Sequence, residues 1–470
     1  MDAPTGRLAT HRAAPPSTDR SPTALDRLDR AVLGGLAAAL ALVALAMALP
    51  AVTGWNVHVR SFPPLHAEWA PRVGPGTAGA VAIAVLGVRY APALARRLSW
   101  RRLLVATFAA GLLWMLALAL VDGRDGIGVI LQTPYEYLRT ARATDDLPAT
   151  LREYTDRIPY SAAPDNWPVH IAGHPPGALT FFVVLVRLGL GGGLAAGLVV
   201  TVIAASTAPA VLVTLRRLGA ESAARRAAPL LTLGPAAIWQ CVSADAMFAA
   251  VGAWGLAMLA FAATSTRRAP ALGWSAGAGL LLGAAVMMSY GLPLLGVLAL
   301  AVLFLGGSWR PLVPAALAAS AVVLAYAALG FAWWEGLHVL HGRYWDGVAH
   351  VRPPQYWMWG NLAALTVSAG PALGAVVAVA WARRREALGR AGAAAGERRV
   401  VLVLVAAAAA TVLLADVSQM SRAEVERIWL PFVPWLLVGA ALVPEPWRRR
   451  LLVVQIGAAL VVQHLLQTGW

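Results

Sequence analysis

Cysteine occurs once in the 470 residues, as Cys241. That excludes an internal disulfide and any Cys-based metal site, and a core packing role is expected for it. Lysine is absent, so every basic side chain is an arginine; GC-rich codon usage accounts for this more simply than function does. Charge is scarce at 13% of residues, about half the share carried by a soluble globular chain. A phosphate-binding P-loop, a dinucleotide fingerprint and a Gly-x-Ser-x-Gly elbow in a convincing context are all lacking, which disfavours an ATP-driven pump. Residues 1–30 have neither the short apolar core nor the small-residue cleavage site of a signal peptide. They read as a disordered cytosolic tail, with a retained membrane helix starting at Ala31.

What the chain has in abundance is apolar length. It is 59% hydrophobic, with a mean hydropathy of +0.65. Repeated apolar runs of about 15–25 residues fit an all-α, polytopic transmembrane bundle over residues 31–470, with about 13 membrane helices. The net charge of +15 therefore implies a lipid bilayer as partner, not nucleic acid. Arginines cluster at 96–97 with 101–102, 216–217 with 225–226, 267–268, 383–385 with 398–399, and 448–450. The positive-inside rule places these in the cytosol of a multi-pass plasma-membrane protein, N-terminus inside. The connections 55–75, 122–174, 240–246, 335–360 and 416–428 then face outward. Segment 122–174 is long for a loop, a length often kept for function, and short helices are expected within it.

Helices are expected at 31–54, 76–94, 103–121, 175–190, 192–215, 227–240, 246–265, 272–288, 291–307, 311–334, 361–382, 400–415, 429–443 and 451–468. Three of these lie between His174 and Asp245, both placed outside, and an odd number of crossings cannot return to one side. Segments 175–190 and 227–240 are short for a span. One of them is half-inserted or lies flat, and the sequence leaves open which.

Chemistry-bearing residues gather in the outward segments. Residues 421–430, Ser-Arg-Ala-Glu-Val-Glu-Arg-Ile-Trp-Leu, set Arg422, Glu424, Glu426 and Arg427 beside Trp429 at the mouth of an apolar run. Charge at the bilayer is costly and marks function by default. Ser421 and Glu424 have capping-box spacing, and a helix start carrying two arginines suits a phosphate. Alternatively the four charges pair on one helix face. The first outward loop holds His66, Glu68 and Arg72. Glu68 is its only carboxylate, fit for a general base toward a sugar hydroxyl or for a simple pair with Arg72. The second begins with Asp122 and Asp125, continues through Tyr135-Glu136-Tyr137, and ends at His170 and His174 before Pro175-Pro176-Gly177. A proline suits a first helical turn, which puts His174 at a helix mouth, to contact substrate or to cap. His170 and His174, four apart, could share a metal, although the intervening Gly173 argues against one continuous helix. Asp245, in Ser243-Ala244-Asp245, reads as an N-cap, a substrate contact or both. The loop 338–360, rich in His, Trp and Tyr, is a secondary candidate for stacking on an acceptor sugar.

Together these features resemble the GT-C superfamily of polytopic glycosyltransferases, which includes protein O-mannosyltransferases and actinobacterial mannosyl- and arabinofuranosyltransferases. The resemblance rests on the long loop ending in His174-Pro175-Pro176-Gly177, on Ser243-Ala244-Asp245, and on Ala423–Leu430. It implies an inverting transfer of sugar from a polyprenyl-phosphate donor to an envelope glycan, lipid or protein, at an extracytoplasmic site. No cofactor is required by it, and a divalent cation is compatible with it. It also implies His66, Arg72, His170, His174, Asp245, Arg422, Glu424, Glu426, Arg427 and Trp429 as substrate-binding residues. The family places an acidic pair or a clear Asp in the first outward loop; here Glu68 takes that role, or else Asp122, or else Asp125. A transporter or flippase of a lipid-linked precursor would instead show inverted repeats and acids near helix midpoints. A non-catalytic assembly protein would share the fold and tolerate loss of Glu68.

The arginine asymmetry yields a topology test. Single cysteines at Ser61, Thr150 and Ser418, in a background lacking Cys241, are expected to react with an impermeant thiol reagent on intact cells. Protection of all three would overturn the outward placement.

Overall fold

The computed structural model describes residues 24–387 and 393–469. It is all-α apart from one short antiparallel pair, Ala67–Trp69 with Leu466–Thr468. Among the described residues, seven helices are long and apolar enough to cross a membrane, or nine if two bent pairs each count as one span. The protein is thus a multi-pass membrane protein. The first helix, Ala24–Thr53, begins ahead of the apolar run; the rest of the expected tail lies outside the described residues.

Helix Ala244–Ala263 forms the centre. It is built largely of Ala and Gly, and 78% of its apolar window is buried, against 22% for Asp26–Thr53 at the periphery. Small side chains let helices approach closely where lipid offers no hydrophobic drive to associate. The contact between the first helix and Ala372–Ala382 shows the limit of this: a Cβ on Gly374 would stand 2.2 Å from the Gly35 carbonyl oxygen.

Several expected helices are broken. Leu312–Ala328 turns by 74° into Trp333–Asp346, and Pro354–Ser368 turns by 106° into Ala372–Ala382. Both breaks hold a glycine in the left-handed region, Gly330 at φ 108° and Gly370 at φ 90°, which a side chain would strain. Expected helix 227–240 is two pieces, Glu221–Thr232 and Ala236–Gln240, and 429–443 is Val433–Leu437 followed by a 3₁₀ turn.

The parity conflict resolves at Gly177–Arg187. This eleven-residue helix starts directly from the long loop, and its finish meets the same loop: Arg187 donates to the Asp145 carbonyl at 3.1 Å, and Arg142 donates to the Gly191 carbonyl just beyond the helix at 2.7 Å. The helix therefore returns to the end from which it starts. Residues 221–240 instead run the length of the bundle, from Arg225 near Glu445 to Cys241 near Asp122.

All five expected outward segments converge at one end. Arg343 donates to the Trp167 carbonyl at 2.9 Å, Arg352 reaches Glu424 at 3.2 Å, the His66 backbone N–H donates to Glu426 at 3.3 Å, and Asp245 lies 3.0 Å from Arg427. The arginine clusters gather at the other end, through pairs such as Arg226–Glu397 at 3.3 Å and Arg96–Glu445 at 3.7 Å.

Gly374→Ala is expected to destabilise the protein by about 1–3 kcal/mol, the usual cost of overpacking. A lowered midpoint of thermal unfolding in detergent is the readout; an unchanged midpoint would mean that the two helices can part without loss.

Candidate functional site

The site is organised by one buried cation. Arg427 lies in the one-turn helix Val425–Ile428 and is 5% exposed. Its Nε stands 3.0 Å from Asp245 Oδ2, its Nη1 3.2 Å from Glu136 Oε1, and its Nη2 3.2 Å from His170 Nε2. Glu136 Oε1 also lies 2.7 Å from His170 Nδ1. Because a guanidinium can only donate, His170 Nε2 is the acceptor there, and the ring carries its proton on Nδ1 toward Glu136. His174 completes the ring of contacts: Nε2 is 3.9 Å from Asp245, and Nδ1 is 2.7 Å from the His170 carbonyl and 2.9 Å from the Tyr137 hydroxyl.

Burial and charge oppose each other throughout. Burial alone would raise the Glu136 carboxyl, but the His170 ring and the Arg427 charge hold it below the usual range. Burial likewise pushes on Arg427, and Asp245 with Glu136 more than offset it, fixing the positive charge. The Glu424 carboxyl is held low against burial by Arg352 first and Arg427 next. Burial depresses His174 despite the opposing pull of Asp245, which favours its neutral ring.

Beside this cluster opens a cavity of about 360 Å³, lined by Arg60, His66, Tyr135, Glu136, His170 and Glu424 among others. Glu136 is its distinctive wall group. Its second oxygen, Oε2, is buried and accepts no hydrogen bond from the protein. Arg60 is 40% exposed, and its Nε approaches His66 Nε2 at 3.1 Å.

The expected site residues fall into three sets. His66, His170 and Glu424 line the cavity, and His174, Asp245 and Arg427 stand behind it in the buried cluster. A second set forms a neighbouring cavity of about 310 Å³ lined by Arg72, Asp122 and Asp125. There Arg72 and Asp122 form an ion pair, and Gln463 donates to Asp122 at 2.8 Å. Glu68 pairs with Arg60 at 3.7 Å, not with Arg72, and its side chain is 53% exposed. The third set is structural. Arg422 stacks on Trp345 and donates to the carbonyls of Ala349 and Arg352 at 3.1 and 2.9 Å. Trp429 is packed in the core, and Glu426 is 1% exposed.

Two local expectations are corrected. There is no capping box, because Ala423 and Glu424 both turn into the left-handed region and the Glu424 side chain goes to Arg352. Asn361 pins that turn, accepting from Ala423 N–H at 3.1 Å and donating to the Ser421 carbonyl at 2.8 Å. One helical turn is also too short to direct a dipole at a phosphate. Nor is Asp245 an N-cap: the helix starts at Ala244, and the carboxylate faces Arg427 and His174 from inside the first turn. Among the described residues, no three His, Cys, Asp or Glu side chains are grouped to hold a metal.

Sequence reasoning assigned no role to Glu136, Tyr137, Arg60 or Arg352. A carboxylate between two tyrosines in the longest polar loop was the available signal for Glu136.

No known protein-family model matches the chain, and no curated protein does. Among solved structures, that of ArnT from Cupriavidus metallidurans in the apo state is similar, at 15% identity, over 68% of this chain and 72% of that one. The TM-score is 0.28, at which two chains do not superpose residue by residue.

Removing the central cation leaves two carboxylates buried without it. Arg427→Gln is expected to cost about 3–5 kcal/mol, as breaking a buried ion pair does. Thermal unfolding in detergent tests this, and a wild-type midpoint would show that Glu136 and Asp245 tolerate burial unaided.

Proposed function

We propose that this chain is a membrane glycosyltransferase of the GT-C type, moving a sugar from a polyprenyl-phosphate donor to an envelope acceptor at the loop-bearing, outward end. The observation that carries this reading is the buried Glu136 carboxylate on the cavity wall. It is kept ionised by His170 and Arg427, with Oε2 unclaimed by the protein. An ionised carboxylate can take a proton, which is the task of a general base. The acceptor hydroxyl oxygen attacks the anomeric carbon and its proton passes to Glu136 Oε2. The bond from that carbon to the donor phosphate oxygen breaks, releasing polyprenyl phosphate with inversion.

Arg60 is the cavity's exposed guanidinium, and it is the group we assign to the donor phosphate. Arg422 and Arg427, expected in that role, already spend their donors on the protein. His66 and Tyr135 offer a ring and a hydroxyl to the sugar from the same wall. A transporter would need its acids near the middle of the helices, whereas Glu136, Glu424 and Asp245 all lie at one end of the bundle.

Glu68 remains the rival base, because its partner Arg60 stands at the cavity. Glu136→Gln is expected to lower transfer from a synthetic polyprenyl-phosphate sugar by about 10²–10⁴, while Glu68→Gln keeps most activity. The reverse ranking would return the role to Glu68. Full activity in both variants would remove the carboxylate mechanism.

A further inference from the structure

A second concavity lies at the opposite end of the bundle from the candidate site. It measures about 420 Å³ and is lined by Arg89, Arg96, Arg225, Arg226, Arg448 and Arg449, with Glu445 as the lone acid. Its walls include helices Thr77–Arg97 and Glu445–Leu465, 21 residues each. Their far ends lead to the strand pair beside His66, so about 30 Å of helix separates the two cavities.

The six guanidiniums are not equivalent. Arg225 is a fastener: it donates to the Ala95 and Leu98 carbonyls at 3.0 and 2.9 Å and to Glu221 at 2.7 Å. Arg226 holds the Ala441 carbonyl at 3.1 Å and Glu397 at 3.3 Å. Arg96 and Arg448 share Glu445 only loosely, at 3.7 and 4.0 Å. Arg89 lies over the adjacent Tyr90 ring, and Arg449 is exposed. Once Glu221, Glu397 and Glu445 are each matched to one arginine, three guanidiniums are left over in one concave site. A concave wall of one charge sign concentrates counter-ions.

Position narrows the ligand. One turn before Arg89, the same helix exposes Val85 and Leu86, the apolar surface of a membrane-crossing segment. Phosphate oxygens match a guanidinium fork, and acyl chains match the valine and leucine next to it. We propose that this cavity is a binding site for a phosphate-bearing anion, supplied by the headgroup of an anionic phospholipid in the leaflet at that end. The proposal stands apart from the glycosyltransferase reading, since no residue is shared between the two cavities.

Native mass spectrometry of the purified full chain tests it, in detergent doped with phosphatidylglycerol, with zwitterionic phosphatidylcholine, or with inorganic phosphate alone. Phosphatidylglycerol is expected to be retained about ten-fold more than phosphatidylcholine, the scale of one charge-assisted contact. Retention of inorganic phosphate as well would extend the source to free anions; its absence assigns the lipid. The double variant Arg89→Gln with Arg449→Gln removes two arginines that fasten no carbonyl. It is expected to abolish the preference at an unchanged melting temperature. Arg101→Gln with Arg102→Gln, at the same end but outside the cavity, is expected to leave it intact. Equal retention of the two lipids, or equal loss in both double variants, would overturn the assignment to this cavity.

Discussion

Taking a guanidinium out of water costs several kcal/mol unless opposite charge comes with it. Arg427 meets that demand with groups from two distant parts of the chain: Glu136 and His170 in the long loop, and Asp245 at the start of the central helix. The position of each follows from this one constraint. The loop must fold back far enough to deliver Glu136 and His170. The central helix must begin at the level where Asp245 can reach. The late segment must turn sharply at Ala423 and Glu424 to aim Arg427 inward. A pair of equal and opposite charges would have sufficed to bury the cation. The presence of two carboxylates leaves one of them, Glu136, with an oxygen that takes no hydrogen bond from the protein.

Much of this architecture could be read before any coordinates. The arginine-rich breaks were expected on one side, and their mutual contacts gather them at one end of the bundle. His170 and His174, Asp245, and Arg427 were singled out from three separate motifs, and the structure brings all four residues into one cluster. Asp245 was legible by residue type: a charge that is alone between apolar runs needs a partner, and here it is Arg427.

What escaped was pairing, which depends on three-dimensional reach. Glu68 and Arg72 share a loop, yet alternation along the short strand sends Glu68 to Arg60, while Arg72 turns to Asp122. Ser421 and Glu424 have the spacing of a cap, but Arg352 competes successfully for the glutamate. Helix length was overestimated where glycines could break a run. Apolar composition reports burial in lipid or protein alike, and only the positive φ at Gly330 and Gly370 reveals the bends. The short helix Gly177–Arg187 is apolar for the same reason: residues such as Leu179, Phe182 and Val183 are buried against the protein core.

The strand pairing of Leu466–Thr468 with Ala67–Trp69 ties the end of the described chain to its first loop. Gly469 then stands against His66 and contributes to the cavity wall. The cavity wall is therefore closed by segments that lie far apart along the chain. It is whole only once the late strand has found the first loop, so the fold of the entire bundle between them sets the shape of the pocket.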